Sequence, residues 1–177
     1  MKYAKALVAI SAALQLGACS SYGSLPTERV GSATLTFANG LPAGTAQLFS
    51  DSDGVTMGVA VTGLEPGPHG FHLHTTGKCE SPGFRSAGGH LNPAGREHGS
   101  DNPAGKHLGD LPNLVANEAG RATAQYDLSG SASDVLGDIF DADGTAVMIH
   151  AGPDDYRSDP AGDAGSRIAC GVIKAAS

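Results

Sequence analysis

Residues 46–61 read AQLFSDSDGVTMGVAV, and this stretch decides the fold class. Two short apolar segments, residues 46–49 and 55–61, flank the tetrapeptide DSDG, whose residue types favour a tight turn. Short apolar segments on both sides of a turn are typical of antiparallel strands. The stretch therefore predicts two neighbouring β-strands.

The same pattern continues along most of the chain. Residues 33–37 (ATLTF) alternate small or polar with apolar side chains and precede an Asn-Gly turn signal. Further strands are predicted at residues 70–74, 114–116, 122–128, 145–149 and 168–173. Glycine is abundant (26 residues), and only residues 134–140 suggest a helical turn. Many short strands with Gly/Pro turns predict an all-β fold, an antiparallel sandwich or barrel.

Two long segments do not have a strand pattern. Residues 75–113 are rich in Gly, Pro, Ser and Asn, and residues 151–166 form a second polar stretch. Long loops in a compact domain are often functional, and the first one contains several potential metal ligands. The chain of 177 residues predicts one domain over residues 31–177, preceded by a flexible tether at residues 19–30.

The first 18 residues have the organisation of a signal peptide. Two lysines precede the apolar run at residues 7–16, which is shorter than the roughly 20 residues of a membrane-spanning helix. The run ends in LGAC, which resembles the bacterial lipobox, where the cysteine is lipidated and becomes the first mature residue. We expect residues 1–18 to be removed and Cys19 to carry the lipid. An ordinary secretory leader is the alternative.

This leader predicts a location in the periplasm or cell envelope of a bacterium, with the lipid as the only contact with a membrane. Ser20 resembles the residue that directs many such lipoproteins to the outer membrane. Cys79 and Cys170 are then left as a pair in an oxidising compartment, which favours a disulfide over two free thiols.

The net charge bears on the partners of the protein. A formal charge of −7 argues against binding of nucleic acid. It is also unfavourable for an anionic substrate, so an enzyme for such a substrate would need a local positive patch. Bound divalent ions would supply part of that patch.

Six of the seven histidines lie in four short stretches whose spacing suits two metal ions. Neutral imidazole is the commonest metal ligand, and zinc also accepts a carboxylate. The seven candidate donors are His72, His74, His90, His98, His107, Asp110 and His150.

The spacing divides these donors into two groups. His72 and His74 are two apart in an apolar strand and share a face, which makes half of a four-nitrogen copper site. His90 follows two glycines, and the loop histidines with Asp110 make a plausible tetrahedral zinc site. His150 ends another strand. Arg167 lies three residues before Cys170 and is a candidate cation beside the metals.

With these motifs the sequence resembles the copper–zinc superoxide dismutases, in a bacterial exported form. The matching stretches cover roughly residues 31–174 in the order of the family: GFHLH (70–74), GGHLNP (88–93), His98, KHLGDLPN (106–113), MIHAG (148–152) and GSRIACGVI (165–173). The resemblance implies an eight-stranded Greek-key β-barrel, related to immunoglobulin-like sandwiches, with two long functional loops.

The resemblance also implies roles for single residues. Copper would be held by His72, His74, His90 and His150, and zinc by His90, His98, His107 and Asp110. His90 would bridge the two metals, Arg167 would guide superoxide, Asp154 would orient one ligand of each metal, and Cys79 would pair with Cys170. His69 belongs to the motif without being a ligand.

The implied activity is dismutation of superoxide to oxygen and hydrogen peroxide by alternate reduction and reoxidation of copper, with a structural role for zinc. A non-enzymatic copper-binding envelope lipoprotein and a zinc-stapled structural module are the alternatives. A homodimer and a monomer are both expected within such a family. The lysine and glutamate that steer substrate in eukaryotic members have no clear counterpart, and Lys106 and Arg157 are the candidate substitutes.

Overall fold

The computed structural model describes residues 28–177. The predicted signal peptide, Cys19 and most of the predicted tether lie outside this range. Within residues 28–177, no helix has both the length and the apolar character needed to cross a membrane.

Eight strands and a two-residue ninth strand make up most of the regular structure in the described range. They are β1 (Glu28–Phe37), β2 (Pro42–Ser50), β3 (Val55–Thr62), β4 (Gly67–His74), β5 (Asp110–Ala116), β6 (Arg121–Leu128), β7 (Ala146–His150), β8 (Arg167–Val172) and β9 (Lys174–Ala175). A short 3-10 helix spans Arg85–Ala87, and one α-helix, α1, spans Ala132–Ile139. Helix α1 begins after Ser131, whose hydroxyl accepts a hydrogen bond from the Asp134 amide, as in a standard N-cap.

All strand pairs are antiparallel, and the strand order is β5-β4-β7-β8-β1-β2-β3-β6. The pairing of β3 with β6 and of β4 with β7 requires crossovers of the Greek-key type. The sheet curves into a nearly closed barrel, with its seam between β5 and β6. The predicted all-β Greek-key barrel is confirmed, with α1 in place of the single helical turn.

The barrel interior explains the alternation in the strands. In β3, Val55, Met57, Val59 and Val61 are buried, whereas Ala60 is exposed. These side chains join residues from the other strands in one main core. At about 25 cal/mol per Å² of apolar area removed from water, this core is the main favourable contribution to folding.

The same alternation places the functional residues on the outer face of β4 and β7. Phe71 and Leu73 belong to the main core, so His72 and His74 point to the opposite face. In β7, Val147 and Ile149 are in the core, and His150 follows on the outer face. The two long loops cover this outer face and enclose the histidines.

Two boundaries differ from the sequence-based prediction. Strand β1 begins at Glu28, because Glu28 and Arg29 pair with the end of β2, so the predicted tether at residues 19–30 ends earlier. Strand β5 begins at Asp110, because Asp110 pairs with His72, so the first loop ends at residue 109 rather than 113.

Candidate metal centre

Four buried histidines form the first group of the centre, which we call the strand set: His72, His74, His90 and His150. One ring nitrogen of each lies within 4.8 Å of the corresponding nitrogen of the others. Strand β4 supplies two of them, β7 supplies one, and His90 is attached to the end of β4 by a bridge with His74. Three of these four ligands therefore rest on paired strands.

The other ring nitrogen of each strand-borne histidine has a partner. Nδ1 of His74 donates to the Gly88 carbonyl at 3.0 Å, and Nδ1 of His150 donates to the Gly165 carbonyl at 3.1 Å. Nε2 of His72 lies 2.7 Å from Oδ2 of Asp154. These contacts fix the ring orientation and the tautomer, as outer hydrogen bonds do for metal-binding histidines.

The inward nitrogens of the strand set have no hydrogen-bond partner. They are Nδ1 of His72 and Nε2 of His74, His90 and His150. Buried polar atoms are normally hydrogen-bonded, so four unpaired nitrogens at one point require a missing partner. Four converging imidazoles fit a copper ion, which accepts nitrogen ligands readily.

The second group, which we call the loop set, surrounds a single carboxylate oxygen. Nδ1 of His90, His98 and His107 lies 2.8, 3.0 and 3.0 Å from Oδ1 of Asp110. The other oxygen, Oδ2, accepts hydrogen bonds from the amides of Gly99 and His107 at 2.9 and 3.0 Å. Three nitrogens and one oxygen, all buried, match the ligand types of a closed zinc site.

His90 belongs to both sets. Its Nδ1 faces Asp110, while its Nε2 points to the strand set. The residue is 92% buried, and the centroid of its ring lies 4.0 Å from that of His72. One imidazole thus separates the two groups of donors.

Asp154 joins the two sets from the opposite side. Its Oδ2 contacts His72 of the strand set, and its Oδ1 lies 3.0 Å from Nε2 of His98 in the loop set. Asn113 holds the backbone of Asp154, with hydrogen bonds of 2.8 and 2.9 Å to its amide and carbonyl. Gly162 packs directly on this carboxylate, so closely that a Cβ atom there would overlap it.

Burial and hydrogen bonding separate the charges of the two sets. Burial lowers the pKa of His74 to about 2, that of His90 to about 4 and that of His150 to about 3, because it disfavours the charged imidazolium. These rings are neutral near pH 7, the state in which imidazole binds a metal.

The loop set contains the opposite case. Burial lowers the pKa of His98, but hydrogen bonds to Asp110 and Asp154 outweigh it and raise the pKa to about 9. Burial raises the pKa of Asp110 and of Asp154, but hydrogen bonds from the histidines outweigh it and hold both values well below the usual range. Without a metal, this part of the centre resembles a buried ion pair.

Arg167 stands at the edge of the centre and is fixed by two carbonyls. Its Nη1 donates to Phe84 at 2.8 Å, and its Nη2 donates to Gly88 at 2.7 Å. A disulfide between Cys79 and Cys170 ties the same loop to β8, which confirms the predicted pairing. The arginine and the disulfide therefore hold the first loop against the barrel together.

The remaining predicted residues lie elsewhere. Both ring nitrogens of His69 contact backbone carbonyls, of His150 and Glu65, so this ring has no nitrogen for a metal. Lys106 donates to the Asp110 carbonyl, and Arg157 lies 3.9 Å from Asp101. Neither cation lines the groove that contains Arg167, and their substitution for the steering residues stays a prediction.

Sequence reasoning missed Asn113, Gly162 and Phe84. Asn113 lies in the motif KHLGDLPN but has no partner at a recognisable spacing. Gly162 and Phe84 lie in irregular loops, where the packing that requires them is visible only in three dimensions.

The fold and the site together define a class of protein: a Greek-key β-barrel with two adjacent metal sites that share one histidine. The Copper/zinc superoxide dismutase (SODC) family matches residues 42–173. The chain belongs to this family.

Individual relatives agree with this assignment. A Cu-Zn superoxide dismutase of Aquifex aeolicus is 45% identical over 135 residues, which is 74% of this chain and 78% of that protein. One of Caulobacter vibrioides is 38% identical over 95% of this chain and 100% of that protein. The crystal structure of a superoxide-dismutase-like protein from Bacillus subtilis has a TM-score of 0.74 at 36% identity, and covers 82% of this chain and 99% of that one.

Proposed function

We propose that this protein converts superoxide to oxygen and hydrogen peroxide. Two superoxide anions and two protons give one O₂ and one H₂O₂, so one electron must be taken from the first anion and given to the second. A copper ion alternating between Cu(II) and Cu(I) supplies this one-electron chemistry, and zinc, which has no redox chemistry, does not. Family membership supports the activity, and the two donor groups match both metals.

We assign the strand set His72, His74, His90 and His150 to copper. The four unpaired inward nitrogens support this assignment, because each is already oriented by a contact at the other side of its ring. Rings fixed in this way need little rearrangement to bind an ion, and fixed ligands favour a site that works in two oxidation states.

We assign the loop set His90, His98, His107 and Asp110 to zinc. In the metal-free arrangement, His98 holds an extra proton because of Asp110 and Asp154. A positive ion between these groups would replace that proton and satisfy all three Nδ1 atoms and Oδ1 at once. The role of this ion is to hold the first loop and to fix the His90 ring.

We propose that His90 handles a proton for the reaction at Nε2. This atom is buried, faces the strand set and has no protein partner, so it is available to a proton whenever it is not bound to a metal. The low pKa of the buried ring makes a proton held there easy to release. Asp110 at Nδ1 keeps the ring in position meanwhile.

Arg167 provides the positive charge that the substrate requires. Its guanidinium is partly exposed, and its contacts to Phe84 and Gly88 leave its charge unneutralised by any carboxylate of residues 28–177. A fixed cation at the entrance attracts a small anion to a protein of net negative charge.

The convergence of four unpaired imidazole nitrogens beside Arg167 is the observation that carries the proposal. Its test is the rate of superoxide decay with purified residues 20–177 loaded with copper and zinc, measured together with the metal content. We expect rapid dismutation with about one copper and one zinc per chain. A protein that binds both metals without activity would instead support the copper-binding lipoprotein.

We also propose that the chain is exported and anchored to the bacterial envelope through a lipid on Cys19. The lipobox-like LGAC and the apolar run before it support this. The test is metabolic labelling with a fatty acid, followed by membrane fractionation of the full chain and of Cys19→Ser. Label and membrane association in the Cys19→Ser variant would contradict the anchor.

A further inference from the structure

Tyr156 lies in the second loop, residues 151–166, and connects that loop to two other parts of the molecule. Its backbone amide donates a hydrogen bond to Oδ1 of Asp154 at 2.6 Å. Its carbonyl accepts from the amide of Asp101 in the first loop at 3.0 Å. Its hydroxyl accepts from the amide of Asn113 in β5 at 2.9 Å. One residue therefore joins both loops and a strand of the barrel.

The contact with Asn113 depends on a bulge in β5. The register between β4 and β5 shifts between His69 and Phe71, where β5 has an extra residue. Asn113 lies at this bulge and has no paired residue in β4, so its amide is available to the Tyr156 hydroxyl. Its side-chain amide pairs with the backbone amide and carbonyl of Asp154. Bulges next to functional sites commonly redirect a residue in this way.

The backbone of Tyr156 is also held by the first loop. Tyr156 has the left-handed conformation (φ 64°), which is uncommon for an aromatic residue and persists where the surroundings impose it. Gly99 packs on the Tyr156 carbonyl so closely that a Cβ atom on Gly99 would overlap it. The amide of Gly99 donates to Oδ2 of Asp110. The contact between the two loops therefore lies next to a residue of the loop set.

The contacts of Tyr156 meet at the Asp154 carboxylate, whose two oxygens contact different sets. Oδ1 accepts from the Tyr156 amide and also lies 3.0 Å from Nε2 of His98. Oδ2 lies 2.7 Å from Nε2 of His72. A rotation or shift of this carboxylate would lengthen at least one of the two contacts. The orientation of both rings therefore depends on how firmly the backbone of residues 154–156 is held.

We propose that Tyr156 is a positioning residue for both metals. Its hydroxyl holds the second loop against β5, and this contact keeps the Asp154 carboxylate between His72 and His98. The inference rests on the proposed function, in which the strand set binds copper and the loop set binds zinc. Among the hydrogen bonds of residues 28–177, none joins Tyr156 to any of the seven ligands, so it acts through Asp154.

The test is Tyr156→Phe in the full chain, which removes the hydroxyl and keeps the ring. The Asn113 amide then loses its partner, and the second loop is held less firmly. We expect the dissociation constant for zinc, measured against a competing chelator, to rise by about tenfold. The electron paramagnetic resonance spectrum of bound Cu(II) should also change, because Asp154 orients His72. Far-ultraviolet circular dichroism should show an unchanged fold.

The matched control is Tyr126→Phe, which makes the same chemical change beside the same neighbour. The Tyr126 hydroxyl donates to the Asn113 carbonyl at 3.4 Å, which is longer than the usual range of about 2.5–3.0 Å for such bonds. Tyr126 belongs to the main core and not to the second loop. We expect its zinc dissociation constant to stay within about twofold of the wild-type value, with an unchanged Cu(II) spectrum.

A double variant distinguishes positioning through Asp154 from a general loosening of the loop. If Tyr156 acts through Asp154, Tyr156→Phe should change the zinc dissociation constant of Asp154→Asn by less than about twofold. A general effect on the loop would instead multiply the two single effects. Fully multiplicative effects would therefore contradict the positioning role.

The outcomes separate this inference from the proposed function. Equal zinc affinities and equal Cu(II) spectra in Tyr156→Phe and Tyr126→Phe would overturn the role of Tyr156, whatever the activity of the wild-type protein. A wild-type protein that binds both metals without dismutating superoxide would overturn the dismutase function alone, because neither metal affinity nor the spectrum depends on turnover. A wild-type protein that binds neither metal would overturn both.

Discussion

The strand set and the loop set are neighbours that share His90, but they are built in different ways. In the strand set, backbone carbonyls and Asp154 hold the outer sides of the rings, and the inner nitrogens remain unpaired. In the loop set, the nitrogens surround the oxygen of Asp110 and already have an electrostatic partner. The strand set is thus held from outside by the surrounding protein, whereas the loop set is held by contacts among its own members.

This difference indicates a division of labour. Most of the strand set rests on paired strands, so it should keep its geometry when the charge of a bound ion changes. The loop set lies mainly in a long loop and gains order from the ion that it binds. Zinc should therefore contribute mainly to stability. Asp154 belongs to neither set but contacts a histidine of each, His72 and His98.

The largest expected effect comes from removal of one ligand from each half. His150→Ala removes one of the four nitrogens of the strand set and only one side-chain hydrogen bond to the protein. Dismutation should therefore fall to the background rate while the fold is kept. Stopped-flow decay of superoxide and circular dichroism measure both. Activity comparable to that of the wild type would remove His150 from the copper site.

His107→Ala is the matched change in the loop set. It should lower activity by only about 10- to 100-fold but reduce zinc binding and the melting temperature clearly. If the two variants lost activity and stability to the same extent, the predicted difference in role between the strand set and the loop set would be wrong.

A smaller effect is expected from Asp154→Asn, which keeps the size of the side chain and removes its charge. Because Asp154 contacts His72 and His98, the affinity for both metals should fall by about 10- to 100-fold. Metal titration with a competing chelator measures this. Asp155→Asn is the control, since Asp155 is exposed and contacts Ser158 instead. Loss of only one metal in Asp154→Asn would contradict the bridging role.

Removal of the disulfide by Cys79→Ser with Cys170→Ser tests the loop that covers both halves. The bond joins residues 91 apart in sequence, so its loss should reduce the free energy of unfolding by about 4 kcal/mol through chain entropy. Urea unfolding of the metal-free protein measures this. A change below about 1 kcal/mol would mean that the loop is held without the bond.

The smallest expected effect is on the pH dependence of stability, through Tyr126 in the core beneath the strand set. Tyr126 packs on Phe71, the neighbour of His72, and burial together with Tyr156 raises its pKa from 10.0 to about 12. The unfolded tyrosine loses its proton first, so stability contributed by the neutral form is present below pH 10 and is lost as the pH rises to about 12. Tyr126→Phe should flatten this part of the stability curve. Identical curves of stability against pH for the wild type and Tyr126→Phe would contradict the raised pKa of Tyr126.

Much of the centre could be predicted, because its ligands follow a periodic rule. Alternation in residues 70–74 places His72 and His74 on one face, and the structure keeps that arrangement. The sequence did not reveal Phe84, whose carbonyl holds Arg167, since a phenylalanine in a Gly- and Pro-rich loop has no spacing to mark it. Its position depends on packing against Ala146, Met148 and Cys170, which are contacts between distant parts of the chain.

The predicted end of the first loop was wrong for a related reason. Residues 110–113 contain a proline and look irregular, but Asp110 pairs with His72 and begins β5. Pairing between distant segments thus extended a strand that local composition did not indicate.

The pairing of β4 with β7 also bears on the order in which the protein folds. The loop-set ligands all lie within residues 90–110, whereas the strand set needs residues 72 and 150 to meet. Closing the longer segment costs about 1.2 kcal/mol more entropy, from two doublings of loop length. Contacts between distant residues also form late in folding. The histidines of the loop set can therefore gather early, while His150 of the strand set arrives only when the barrel is nearly complete.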